Sequence, residues 1–124
     1  MVRAFFLIGS VLAGIAVAAG AFGAHGLKNF VSPEGLDTWN TAVRYQVYHA
    51  FALIGVAFTI NTWPAQTKLF NTAGWLFLMG VILFSGSLYT LVLSGIKQLG
   101  AITPIGGIMF VIGWLFLIIG VCKE

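Results

Sequence analysis

The side chains able to do chemistry in this chain crowd toward one end of its apolar stretches. They are His25, Arg44, Tyr45, Tyr48, His49, Ser85, Ser87, Tyr89, Thr90 and Thr103. The other end is nearly pure hydrocarbon. Polar groups in lipid are costly unless paired, so such a cluster marks either a structural network or a binding site. The guanidinium of Arg44 is a forked cation suited to phosphate or carboxylate. Tyrosine hydroxyls and an imidazole beside it suit an anionic lipid headgroup or a quinone carbonyl. The candidate ligand set is His25, Lys28, Arg44, Tyr45, Tyr48, His49, Ser87 and Tyr89. A lipid headgroup is the favoured occupant, because it needs only charge and hydroxyls at interface depth. Each residue also has a plainer role. Ser and Thr bond back to the preceding turn, Tyr lines membrane interfaces, a terminal His caps carbonyls and Arg snorkels.

Other chemistries find less support. Two histidines could hold a haem axially, but His25 ends its helix and leaves little room for a buried macrocycle. A closed metal site cannot be assembled, since the acids Glu34, Asp37 and Glu124 lie outside the spans and Cys122 belongs to the other end. No metal and no cofactor is therefore expected. Ser85 or Ser87 beside His49 lacks an acid to orient the base, and Gly86-Ser87 is not set in a nucleophile elbow. No enzyme activity is expected. A proton or ion carrier needs an ionisable group at mid-membrane. No acid is there, and His49 is placed about one turn inside its span.

These residues are carried by a chain of 124 residues, 60% hydrophobic and 7% charged, with a mean hydropathy of +1.02. A soluble domain would carry about 25% charged residues. The chain is thus an integral membrane protein and a single domain. Its net charge of +3 comes from basic residues scattered singly, so nucleic acid is excluded as a partner. The lone Cys122 is a small packing residue or, at a span end, a lipidation target.

The expected fold is an all-α membrane protein: a four-transmembrane-helix bundle with a short interfacial helix between spans one and two. The spans cover about residues 4–24, 44–63, 70–93 and 105–121. The first is about 31 Å long at the helical rise, enough for a bilayer core. A cleavable leader is the rival reading of this segment. Against it, Gly9, Ala13, Ala16, Gly20 and Gly23 recur at spacings of 4, 3, 4 and 3, which builds a smooth face for close helix approach. Ser32-Pro33-Glu34 is a helix start, with a capping hydroxyl, proline at the first position and an acid at the positive dipole end. The short helix it opens bends into span two or continues as it, with Trp39 at headgroup depth. Trp63-Pro64 and Ser94-Gly95 mark the later connections, and Thr103 caps the last span. There, Gly106, Gly113 and Gly120 recur every seven residues as a second small-residue seam. On span two, Thr41, Arg44, Tyr45, Tyr48, His49 and Ala52 form one helical stripe.

Four spans put both termini on one side, with Arg3, Lys68 and Lys123; Lys28, Arg44 and Lys97 are at the other end, called side B below. If Arg44 is in the membrane rather than a loop, the positive-inside rule turns the termini to the cytoplasm.

Four segments carry a family resemblance. They are Gly20-Ala21-Phe22-Gly23-Ala24-His25-Gly26-Leu27, Tyr45-Gln46-Val47-Tyr48-His49-Ala50, Gly86-Ser87-Leu88-Tyr89 and Thr103-Pro104-Ile105-Gly106-Gly107. In this order, over nearly the whole chain, they resemble the membrane family called domain of unknown function 423, which includes transmembrane protein 256. The resemblance implies a four-helix protein of the bacterial inner membrane and carries over no catalytic or cofactor residue. The residues themselves point to a small non-enzymatic protein. Its expected role is an accessory or assembly subunit of a larger membrane complex, or a lipid-interacting factor. The glycine seams would pack inside the bundle or join copies into a homo-oligomer. The alternatives are an oligomeric small-solute transporter or channel and, more weakly, an enzyme acting on lipid or quinone.

Overall fold

The computed structural model describes residues 1–124, and they form four α-helices: α1 Val2–His25, α2 Pro33–Thr62, α3 Thr67–Ser94 and α4 Thr103–Cys122. Single 3₁₀ turns at Leu27–Asn29, Pro64–Gln66 and Lys97–Ala101 connect them. Connections this short make successive helices antiparallel neighbours. Accordingly α1 packs on α2, α2 on α3 and α3 on α4, so the middle pair is flanked by the outer two.

The helix ends follow local chemistry. Ser32 Oγ accepts from the Gly35 N–H at 3.1 Å, with Pro33 at the first helical position and Glu34 in the first turn. α3 stops at Gly95, whose φ of +73° is the left-handed conformation that ends helices cheaply only at glycine. Thr103 does not cap α4 with its side chain; its hydroxyl turns instead to Ser87 on α3, 2.7 Å away.

No separate interfacial helix exists. The helix that Ser32 opens runs unbroken for 30 residues. Its polar residues lower the local hydropathy and moved the expected start of the span to residue 44, but nothing breaks the backbone between. Three segments are long and apolar enough to cross a membrane: Val2–Asn29, Pro64–Ser94 and Lys97–Cys122, with mean hydropathies of 2.2, 2.2 and 2.6. α2 is long enough at about 45 Å, but it carries Arg44, Gln46 and His49.

The main core is built from Phe5, Leu53, Val56, Ala57, Ile60, Phe70, Ala73, Phe77, Val81 and Phe110, most of it toward the end that holds the termini. Both small-residue seams face inward. Gly9 lies against the backbone of Ala50 and Ile54, and Gly23 against the Trp39 ring. On the other side, Gly106, Gly113 and Gly120 receive Phe84, Phe77 and Phe70 in turn. The α3–α4 contact is thus an antiparallel ladder with one rung every seven residues: phenylalanine rings on Gly113 and Gly120, and a close backbone approach at Gly106. A second copy joining through either seam would have to displace a helix of this chain.

Candidate functional site

The sequence-selected residues fall into three groups that do not merge. The first is an interhelical hydrogen-bond network. Gln46 is buried, 3% exposed. Its amide Nε2 donates to the Leu12 carbonyl of α1 at 2.8 Å, and its Oε1 accepts from the Tyr89 hydroxyl of α3 at 2.8 Å. One side chain therefore ties three helices. Above it the Trp39 indole N–H donates to the Ala19 carbonyl at 2.8 Å, and the Trp39 ring packs on Tyr89 at 4.6 Å. Trp39 is therefore an internal brace between α1 and α2, with its indole buried, rather than a residue presented to the headgroups. Ser85 donates to the Ala42 carbonyl at 2.7 Å, joining α3 to α2. Ser87 bonds with Thr103, joining α3 to α4. Thr90 only bonds back to Gly86 of its own helix.

The second group surrounds His49. Its Nδ1 lies 2.8 Å from the Tyr45 carbonyl, which can only accept, so Nδ1 carries the proton. Nε2 then accepts from the Trp114 indole N–H at 3.1 Å. The ring is the neutral Nδ1–H tautomer with both nitrogens engaged. It stacks on Phe110 at 3.5 Å and 7° and touches Phe77 at 5.4 Å. Tyr45 covers the same cluster, 4.5 Å from Phe84 and 6.2 Å from Phe110. Phe77 and Trp114 lie near the middle of α3 and α4, so His49 is at mid-bundle. The expectation that it is shallow assumed a span starting at residue 44, and the earlier helix start overturns it. A haem or metal could bind His49 only by displacing the indole. No three His, Cys, Asp or Glu side chains converge anywhere in the chain.

The third group is the outer wall of α2. Arg44 is exposed, and its guanidinium makes one hydrogen bond, to Thr41 Oγ1 at 3.1 Å. Tyr48 is 55% exposed one turn deeper and touches Tyr45 edge-on at 5.7 Å. His25 ends α1 and Lys28 lies in the following turn; both are exposed, and no side-chain hydrogen bond or ring contact joins either to the other groups. The expected eight-residue site is therefore dispersed: Ser87 and Tyr89 brace helices, His49 and Tyr45 belong to an aromatic stack, and Arg44 and Tyr48 face outward.

Sequence reasoning gave no role to Gln46, the residue that ties most helices, nor to Trp114. A signal for Gln46 existed: it follows Trp39 by seven residues, on the same helix face. The phenylalanines at 70, 77 and 84 also match the spacing of the glycines they meet. One buried polar side-chain atom, Asn71 Oδ1, has no partner.

Helices of this length and hydropathy, joined through hydrogen bonds that leave almost no polar atom unmet inside, define a small helical membrane protein. The model of the family described as "Protein of unknown function (DUF423)" matches residues 19–107, and the chain belongs to that family. A UPF0382 membrane protein of Staphylococcus saprophyticus is 45% identical over 121 residues, 98% of each chain. One from a bovine strain of Staphylococcus aureus is 48% identical over 98% of this chain and 97% of its own. The UPF0382 membrane protein YwdK of Bacillus subtilis is 43% identical over 98% of both. No solved structure matches the chain.

Proposed function

We propose that this chain is a four-span protein of the bacterial inner membrane that acts by contact rather than by turnover or conduction. It serves as an accessory or assembly subunit of a larger membrane complex, or as a lipid-interacting factor. α2 is the fourth span. Its low hydropathy comes partly from Gln46 and His49, which are turned to neighbouring helices and bonded there. With Arg44 in the wall of α2, the terminal side holds Arg3, Lys68 and Lys123 against Lys28 and Lys97, and the termini are cytoplasmic.

One observation carries the reading. The four polar residues that are buried whole, Gln46, His49, Ser85 and Ser87, are all bonded within the chain, and Asn71 Oδ1 is the one buried side-chain atom without a partner. Such an interior offers a solute a single open acceptor rather than a lined path, and supplies no activated nucleophile. Ser85 and Ser87 bond to Ala42 and Thr103, not to His49. This favours contact over the oligomeric transporter or channel and over an enzyme acting on lipid or quinone. Reconstitution in vesicles holding a pH-sensitive dye tests it. Proton leak equal to that of empty vesicles is expected, whereas a leak abolished by His49→Phe would refute the reading. Purification in mild detergent, with co-purifying protein and lipid identified, names the contact.

A further inference from the structure

The outer faces of α1 and α4 are apolar, with Phe6, Leu7, Val11, Ile15 and Val17 on one and Ile108, Val111, Leu115 and Ile118 on the other. The outer face of α2 differs. Exposed Asp37 stands on it two turns before Arg44, and from there it runs Arg44, Tyr48, Phe51 and Phe58, beside Gly55, which has open space where a side chain would be. Arg44 is a permanent cation with no carboxylate partner in the chain, on a wall that meets lipid if α2 spans the membrane. An unpaired charge there is costly, and an anion at the same depth would offset that cost.

Depth says which anion. His49 marks mid-bundle, and Arg44 stands five residues nearer side B, about 7.5 Å along the axis. Helical side chains lean toward the N-terminus, here toward side B, and the bond to Thr41 holds the guanidinium in that direction. Thr41 is about 12 Å from the middle, against a hydrocarbon half-thickness of about 15 Å. The guanidinium thus stands at the edge of the hydrocarbon, within about one hydrogen-bond length of the glycerol and phosphate region of the side-B leaflet. Below it, exposed Tyr48 and Phe51 form a bulky aromatic wall that ends near the middle of the bilayer, a surface along which an acyl chain of that leaflet can lie. A partner helix would want small residues there, and both small-residue seams of this chain already face inward.

We infer that the outer wall of α2 binds an anionic phospholipid of the side-B leaflet, with Arg44 holding its phosphate and Tyr48 and Phe51 lining its chain. The inference rests on the four-span reading above and is independent of whether the protein conducts. A guanidinium fork fits the two unesterified oxygens of a phosphodiester.

The test uses the full chain in nanodiscs of phosphatidylcholine mixed with phosphatidylglycerol, followed by detergent extraction and lipid analysis of the retained fraction. Wild type is expected to retain phosphatidylglycerol in preference to phosphatidylcholine. Arg44→Gln should lower that preference about fivefold, the worth of one basic residue at an anionic surface, and Arg44→Lys should keep part of it. High salt should weaken retention by wild type itself, a readout that needs no variant to fold. Inorganic phosphate should not displace the lipid; displacement would point to a soluble anion and overturn the assignment. Equal lipid ratios in wild type and Arg44→Gln would also overturn it. So would a co-purifying protein that Arg44→Gln releases while the lipid stays, because the anion would then be a partner's carboxylate. A proton leak in the vesicle assay would remove the contact reading and leave this site standing.

Discussion

The α1–α2 hairpin and the α3–α4 hairpin are both antiparallel and both bury glycines, yet they close by different chemistry. In the first, side chains of α2 reach the backbone of α1: Trp39 bonds to the Ala19 carbonyl and Gln46 to that of Leu12. In the second, the rings of Phe70 and Phe77 fill the places where α4 has no side chain at Gly120 and Gly113, and at Gly106 the backbones of the two helices themselves meet, beside Phe84 and Gly80. In water both would gain from the hydrophobic effect. In lipid that term vanishes between helices, and association depends on van der Waals fit and on hydrogen bonds. The C-terminal hairpin uses mainly fit. The N-terminal hairpin adds bonds, and α2 extends them to α3 through Tyr89 and Ser85. α2 is thus the polar spine of the molecule, which is why it alone lacks the hydropathy of a membrane span.

The fit-based hairpin is the one most easily broken by adding atoms. A Cβ on Gly106 would stand 2.5 Å from the Phe84 nitrogen and 2.9 Å from the Gly80 carbonyl, both backbone atoms that cannot swing away. Gly106→Val is expected to destabilise the fold by about 3 kcal/mol, the upper part of the usual overpacking range. Unfolding in mixed detergent, followed by tryptophan fluorescence, measures it. A loss below 1 kcal/mol, roughly the bottom of that range, would mean that α4 is not seated as described.

The bond-based hairpin should respond to removing atoms instead. Gln46→Leu keeps the volume roughly constant but deletes the donor to Leu12 and the acceptor for Tyr89. It should lower stability by about 1–2 kcal/mol, since membrane hydrogen bonds are individually modest and two are lost. A double cycle with Tyr89→Phe sharpens this. The two substitutions should be less than additive, because each removes the same bond. Strict additivity would sever the α2–α3 half of the network from Gln46.

Much of the frame was legible. Ser32-Pro33, Trp63-Pro64 and Ser94-Gly95 marked real helix boundaries, because capping and the left-handed turn are decided by neighbours in the chain. The glycine spacings marked real contact faces. What depended on the third dimension was not legible. Periodicity placed Arg44, Tyr45, Tyr48 and His49 on one stripe, but a stripe wide enough to hold four side chains straddles the boundary between inside and outside. His49 and Arg44 therefore share a helix face by sequence and opposite surroundings in the fold. Hydropathy misplaced the start of α2, and with it the depth of His49, because averaging cannot distinguish a polar residue facing lipid from one bonded to another helix. Gln46 was passed over for a related reason: an amide has no chemistry of its own, and its value comes from two partners, 34 and 43 residues away.

The smallest expected effect separates the seam on α1 from the rest of that helix. Gly9 and Gly14 are both glycines of α1, five residues apart, and intrinsic propensity treats them alike. Their surroundings differ. A Cβ at Gly9 would lie 2.6 Å from the Ala50 carbonyl, whereas at Gly14 nothing stands within 4 Å. Gly14→Leu should therefore leave stability within about 0.5 kcal/mol of wild type, in the same detergent titration that reads Gly106→Val. If Gly14→Leu keeps that stability but loses a protein that co-purifies with wild type, α1 has a second contact face, pointing away from α2. The N-terminal hairpin would then be the docking side of the molecule, and the C-terminal hairpin its rigid buttress. If instead Gly14→Leu unfolds the chain, α1 is rotated from the position described, and the seam at Gly9, Ala16 and Gly23 is not the surface that meets α2.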